Sequence, residues 1–203
     1  MPAPVYPSDI VFTPTVKALQ QARGSRHAYA RLEQGHGWRT GIDGGLREFI
    51  EAQTTLFMAT ANLDGQPYIQ HRGGPPGFLH VLDEHTLAFA DFTGNRQYVS
   101  TGNLADNPKA QLFLMDYARR QRVKIWGEAR VQSDPALVQR LMPAGYKARA
   151  EQAILFTVKA WDANCPQHIP QLLPADEVAA AIQGRDARIA ELERELAALR
   201  HPR

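Results

Sequence analysis

Arg122-Val123-Lys124-Ile125-Trp126-Gly127-Glu128-Ala129-Arg130-Val131-Gln132 alternates without a break. Side chains of an extended chain point to opposite sides in turn. Val123, Ile125, Gly127, Ala129 and Val131 therefore fall on one face, and Arg122, Lys124, Trp126, Glu128 and Arg130 on the other. Working outward, Lys109 to Tyr117 and Ala153 to Trp161 read as flanking strands, with a helix predicted over 135–149 between them. Upstream, Asn62-Leu63-Asp64-Gly65 is a turn joining Leu56–Ala59 to Pro67–Arg72 as a hairpin. Phe78 to Leu82 and Thr86 to Asp91 are further extended segments, and Arg96 to Ala105 a short helix closed by Asn107-Pro108. Six or seven strands in mostly hairpin order, with helices between some of them, predict an antiparallel barrel with peripheral helices.

The ends differ in texture. Residues 1–43 are rich in proline, glycine and polar side chains, and predict an arm with one helix near Val16 to Arg23. Leu46, Phe49 and Ile50 then open the barrel domain, taken as 44–170. In 171–203, Val178, Ile182, Ile189, Leu192, Leu196 and Leu199 follow heptad spacing, with Arg185 at one seam position. Such a helix either packs on its own barrel or pairs with a partner chain. The 203 residues suit one domain with a helical appendage. A net charge of +2 argues against a nucleic-acid-coating protein, and no apolar run is long enough for a membrane span. The single Cys165 and the lack of a leader-like N-terminus predict a cytoplasmic protein.

Four constellations carry possible chemistry. Arg72, ending a strand before Gly73-Gly74, presents a bidentate donor for phosphate, or is an exposed edge arginine. Asp91-Phe92-Thr93-Gly94-Asn95-Arg96-Gln97 runs into a helix start that suits an anion, with Asn95 as its N-cap. Arg122, Lys124 and Trp126 form a face that is either solvated or turned to an anionic ligand, and Trp126 points to a binding or subunit surface. Cys165 and His168 fall short of a zinc set, and a nucleophilic pair would need a third group, so no metal is expected. The dinucleotide, P-loop, zincin and hydrolase signatures are absent.

The order Asp64-Gly65-Gln66-Pro67-Tyr68, His71-Arg72-Gly73-Gly74, Phe89-Ala90-Asp91, Gly94-Asn95-Arg96, Asn107-Pro108 and Val123 to Ala129 resembles the pyridoxamine 5'-phosphate oxidase-like FMN-binding split-barrel family over roughly residues 45–165. Within it the chain is similar to a branch of flavin-nucleotide-binding proteins with HRGG, GNR and CPQH elements. The resemblance implies a mainly β fold, a six-stranded antiparallel split barrel with peripheral helices, and a homodimer with FMN at the subunit interface. It places Gln70, His71 and Arg72 along the strand bordering FMN, and Asp91 and Phe92 at the next strand end. Asn95, Arg96 and Gln97 match the phosphate-gripping triplet, Arg72 and Lys124 supply further charge, Arg122 lies near the ring system, and Trp161 resembles the late aromatic that closes over the flavin.

An Arg-x-His substrate motif ends the family's vitamin B6 oxidases, whereas this chain has Asn164-Cys165-Pro166-Gln167-His168. The expected function is that of an FMN-dependent oxidoreductase on another small molecule, in which the flavin carries the redox chemistry. No catalytic acid or base is assigned; His71, Cys165 and His168 are candidates. A non-catalytic flavin-binding or sensing module and a tetrapyrrole-binding barrel are the alternatives.

Overall fold

The computed structural model describes residues 5–35, 37–164 and 167–200. Seven strands form one sheet: β1 (Thr55–Ala61), β2 (Pro67–Gly73), β3 (His80–Val81), β4 (Thr86–Phe92), β5 (Lys109–Asp116), β6 (Gln121–Gln132) and β7 (Ala150–Asn164), in the order β2-β1-β5-β6-β7-β4-β3. β1 pairs antiparallel with β2 and β5, β7 with β6 and β4, and β4 with β3. The sheet curls far enough that Arg72 on β2 and Asp91 on β4, five places apart in strand order, form an ion pair. A barrel left open between β2 and β4 results, consistent with a split barrel. The family resemblance implies six strands; the two-residue β3 makes the seventh. Phe78 and Leu79, expected in that strand, are buried beside it outside the ladder.

Alternation fills the interior. Leu56 and Met58 of β1, Leu112 and Leu114 of β5, Val123 and Ile125 of β6, and Ile154 and Phe156 of β7 share one core with Leu87 and Phe89 of β4. Each fully buried side chain of this size contributes about 1.5–3 kcal/mol. Gly127 lies on the same inner face, beside the point where β6 shifts register against β7; a Cβ there would sit 2.0 Å from the Thr157 carbonyl oxygen.

Helices cover the rest. Asp43 caps α3 (Gly44–Glu51) by accepting the Leu46 N–H at 2.8 Å, and Leu46 and Ile50 enter the core. α4 (Val99–Asp106) is tied to β1 by Asn103, whose amide donates to Thr60 Oγ1 at 3.0 Å. It starts three residues later than expected. α5 (Pro135–Leu141) covers Ala88 and Ala90, the outward alanines of β4, so that strand is buried on both faces. α5 is half the predicted length: two residues beyond its end stands Pro143, and four beyond it Gly145 at φ +71°, which stop the helix.

Residues before 43 hold more structure than one helix: a 3-10 turn (Pro7–Ile10), α1 (Pro14–Ala22) and α2 (Arg26–Gln34). Thr13 caps α1, with Pro14 in its first turn. α2 is polar on average and buries none of its residues, and is held by the Arg26–Glu33 ion pair and by Tyr29, whose ring meets Phe12 edge-on at 5.3 Å. Phe12 packs on Trp38, and Trp38 stacks on Trp126 of β6 at 4.5 Å. Trp126, expected at an open binding surface, is thus half-buried under the chain's own N-terminal segment.

Residues 116–121 and 167–200 form a second compact unit. Within it the turn after β5 holds the segment before the last helix: Arg120 Nε donates to the Ile169 carbonyl at 3.0 Å, and the Gln171 amide to the Ala118 carbonyl at 3.0 Å. The heptad segment is helical throughout as α6 (Ala175–Arg200), and none of its residues is buried. Among the described residues, no helix is long and apolar enough to cross a membrane.

Candidate functional site

The gap between β2 and β4 is a shallow cleft of about 40 Å3, open to solvent and floored by the start of α4. Alternation on β2 sends Gln70 and Arg72 into it and His71 to the other side of the sheet. From β4 come Asp91 and Phe92, and from the following loop Asn95 and Arg96. Six of the eleven expected residues are therefore brought together.

Arg72 is the centre of the arrangement. Its Nη1 donates to Asp91 Oδ1, while its Nε is buried without a hydrogen-bond partner. Asp91, only 8% exposed, also accepts from Gln152 Nε2 at 2.9 Å. The same Gln152 nitrogen donates to Thr101 Oγ1 at 3.0 Å, which leaves the Thr101 hydroxyl hydrogen free for another acceptor. Ser100 Oγ donates to Gln70 Oε1 at 2.9 Å.

The loop into α4 is conformationally costly. Arg96 (φ +59°) and Tyr98 (φ +53°) both lie in the left-handed region, each at a cost of order 1 kcal/mol. Glu151 holds them, accepting from the Tyr98 hydroxyl at 3.2 Å and lying 3.6 Å from Arg96 Nε. Asn95 is not the helix cap: its Oδ1 accepts the Gln97 N–H at 3.2 Å in a local turn, and the cap position falls to Tyr98, whose side chain caps nothing. The first N–H groups of α4, at the floor of the cleft, thus have no side-chain cap. Gln97 itself is exposed and off the cleft.

The arrangement fits a phosphate. A buried, unpartnered guanidinium N–H, an uncapped helix start, a free hydroxyl and a second arginine converge, and all are donors. Two carboxylates, Asp91 and Glu151, balance the two arginines, so an anion must displace one pair. Arg96 is the one that can move: its side chain is 62% exposed, and such a pair is worth about 0–1 kcal/mol. The Gly73-Gly74 backbone is no anion cradle. Gly74 N–H already donates to the Thr54 carbonyl at 3.0 Å, and a Cβ on Gly74 would come within 2.6 Å of Phe78, so this glycine serves packing.

The remaining predicted residues lie elsewhere. His71 Nε2 meets Thr55 Oγ1 at 2.6 Å on the outer face of β2. Arg122 and Lys124 share the outer face of β6; Arg122 Nε is buried without a partner, and Lys124 lies 5.6 Å from the Trp126 ring. Burial holds the Lys124 ammonium below its ordinary range; Asp162, its register partner, pulls it back up and Arg122 presses it down. Trp161 belongs to the core rather than the cleft: its indole N–H donates to the Gly41 carbonyl at 2.8 Å, and Arg39 lies over its ring at 5.3 Å. Cys165 is outside the described residues, and His168 is exposed. Tyr98, Ser100, Thr101, Glu151 and Gln152 were not foreseen. The glycine loop running into a helix start after Asp91 was the only signal for the first three, and nothing local marks the last two.

A family model described as pyridoxamine 5'-phosphate oxidase matches residues 42–165. Among solved structures, HupZ of Group A Streptococcus is 20% identical with a TM-score of 0.48, covering 61% of this chain and 98% of its own. A Clostridium acetobutylicum protein related to general stress protein 26, of the pyridoxinephosphate oxidase family, is 18% identical with a TM-score of 0.44, over 64% and 92%. An FMN-binding protein from Syntrophomonas wolfei is 12% identical with a TM-score of 0.45, over 76% and 99%. No curated protein matches the sequence. Since the family model spans more than half of the 203 residues, the chain belongs to the pyridoxamine 5'-phosphate oxidase family.

Proposed function

We propose that this protein is an FMN flavoprotein of the split-barrel type, active as an oxidoreductase on a small molecule other than a vitamin B6 phosphate. The observation that carries the reading is the buried, unpartnered Nε of Arg72, set in a cleft at the uncapped start of α4. With Nη1 engaged by Asp91, the other edge of the guanidinium offers parallel N–H groups, the geometry that phosphate oxygens accept. Asp91 is a positioning group here, since its charge repels a phosphate while its hydrogen bond fixes the arginine. Thr101 and the α4 N–H groups would hold the remaining phosphate oxygens, and Arg96 would leave Glu151 to complete the charge.

Bound FMN would supply two-electron redox chemistry, and the protein position and electrostatics. The HRGG, GNR and CPQH branch, the homodimer with flavin at the subunit interface, and roles for Arg122, Lys124 and Trp161 on the partner's side belong to the same proposal. A second reading has one observation in its favour: His71 points away from the cleft, so no histidine lines it among the described residues. That suits a flavin-holding module without turnover.

The test compares FMN with riboflavin, which lacks the phosphate. The protein purified alone, then reconstituted and desalted, should retain about one FMN per chain and bind riboflavin at least tenfold more weakly. Equal affinities remove the phosphate assignment; retention of no flavin, or a Soret band instead, removes the flavoprotein reading. Turnover of a reductant such as NAD(P)H through the loaded protein separates enzyme from module.

A further inference from the structure

The last helix leaves its whole apolar seam open. Val178, Ile182, Ile189, Leu192, Leu196 and Leu199 are between 39% and 79% exposed, although they lie on one stripe of a helix about 39 Å long. By contrast, α3 buries its apolar stripe with Leu46 and Ile50.

From the side-chain types and charges on this stripe we infer that α6 pairs with α6 of a second copy of this chain as a parallel, in-register, two-stranded coiled coil. Ile182, Ile189 and Leu196 occupy position a, and Val178, Arg185, Leu192 and Leu199 position d. β-Branched residues at a with leucine at d favour two parallel strands. Two of the three a positions are isoleucine, and the last two d positions are leucine.

The flanking charges select the same arrangement. In a parallel pair, each g residue faces the e residue five places later on the other helix. Arg188 then meets Glu193 of the other copy, and Glu195 meets Arg200, so two attractive pairs form on each side of the seam. Arg188 at present leans on Glu191 at 2.5 Å, an exposed i,i+3 pair of little worth that competes weakly. Arg185, the one charged seam residue, lies beside Asp186 of the other copy, which offsets the approach of the two arginines. An antiparallel pairing that sets Ile189 against Leu192 keeps one opposite pair, Arg188 with Glu195, but offsets it by bringing Asp186 toward Glu193, like charges.

Cysteine cross-linking reads the register directly. In a Cys165→Ser background, Ile182→Cys faces its own copy only if the helices are parallel and in register, since the antiparallel pairing sets it against Leu199, about 25 Å along the helix; Glu191→Cys, on the outer face, is the control for random encounter. Under oxidised glutathione, the Ile182→Cys protein should form covalent dimer at least fivefold faster than the control. Replacing Glu193 and Glu195 with arginine should slow that reaction at least threefold at low salt, and adding Arg188→Glu with Arg200→Glu should restore it. Rates equal to the control overturn the inference, and mean that the seam is antiparallel, covered by its own barrel or occupied by another protein. Insensitivity to the charge reversal overturns it too, because the pairing would then not use these residues.

Discussion

Arg72 in the cleft and Arg122 on the outer face of β6 each bury an Nε that no acceptor meets, and there the likeness ends. Arg72 is oriented by a carboxylate that is itself held by Gln152, so its unmet N–H is aimed at a gap bounded by other donors. Arg122 stands beside a second cation, Lys124, on a face partly roofed by Trp126 and Trp38. In the first region the protein supplies the anion that positions the cation; in the second, apolar cover raises the cost of charge, with Asp162 as the nearby counter-charge acting on Lys124. An unsatisfied donor thus has different meanings according to what surrounds it.

The sharpest way to break this contrast is to remove each arginine. Arg72→Ala leaves Asp91 buried without its cation and should cost about 3 kcal/mol in urea unfolding, the lower end for a broken buried pair. Arg122→Ala removes no ion pair and should cost less than about 1 kcal/mol. Equal losses would erase the distinction. Next in size, Trp38→Ala strips two aromatic contacts from the roof, with Phe12 and with Trp126; about 2 kcal/mol should be lost. Calorimetry showing no change in Tm would mean that the N-terminal segment does not hold this face.

A smaller effect separates binding from folding. Arg96→Ala should leave stability within about 0.5 kcal/mol, since its pair with Glu151 is exposed, yet weaken FMN about tenfold by removing a charge-assisted contact. Unchanged FMN affinity would take Arg96 out of the site. The smallest is a slope. Because burial lowers the Lys124 value, the unfolded chain binds a proton there that the folded chain has released, in the interval between the lowered value and 10.5. Stability from this residue therefore rises with pH across that interval, and is lost as pH falls below it. Lys124→Met should flatten the slope relative to the unaltered protein, and identical slopes would show that the lysine is solvated.

Much of the barrel was legible because its signals are short-range. The alternation from Arg122 to Gln132 predicts which side chains of β6 are buried, and the structure buries Val123, Ile125, Gly127 and Ala129. The Asn62 to Gly65 turn appears as expected, with Gly65 at φ +83° and the β1–β2 register set around it. In the site, Gln70, Arg72, Asp91, Phe92, Asn95 and Arg96 were reached by strand parity, by a loop before a helix, and by family likeness. The same parity should have set His71 aside, since it alternates with Arg72. Trp161 was reached by family likeness alone: an aromatic near a strand end reads the same whether it closes a site or fills a core, and within the chain it joins the core.

The sequence by itself determined strand faces, turns and the heptad seam, because each depends on periods of two to seven residues and on local backbone preference. Only the tertiary structure decided that β2 and β4 face each other across a gap, so that Arg72 finds Asp91 and that Glu151 and Gln152, some sixty residues from β4, complete the cleft. It alone decided that Trp38 roofs Trp126, and that a second helix, α2, forms in the polar segment before the barrel. The physical reason is that an ion pair, a ring stack or a buried donor depends on which surfaces the chain brings together after the sheet has curled, and no local period records that closure.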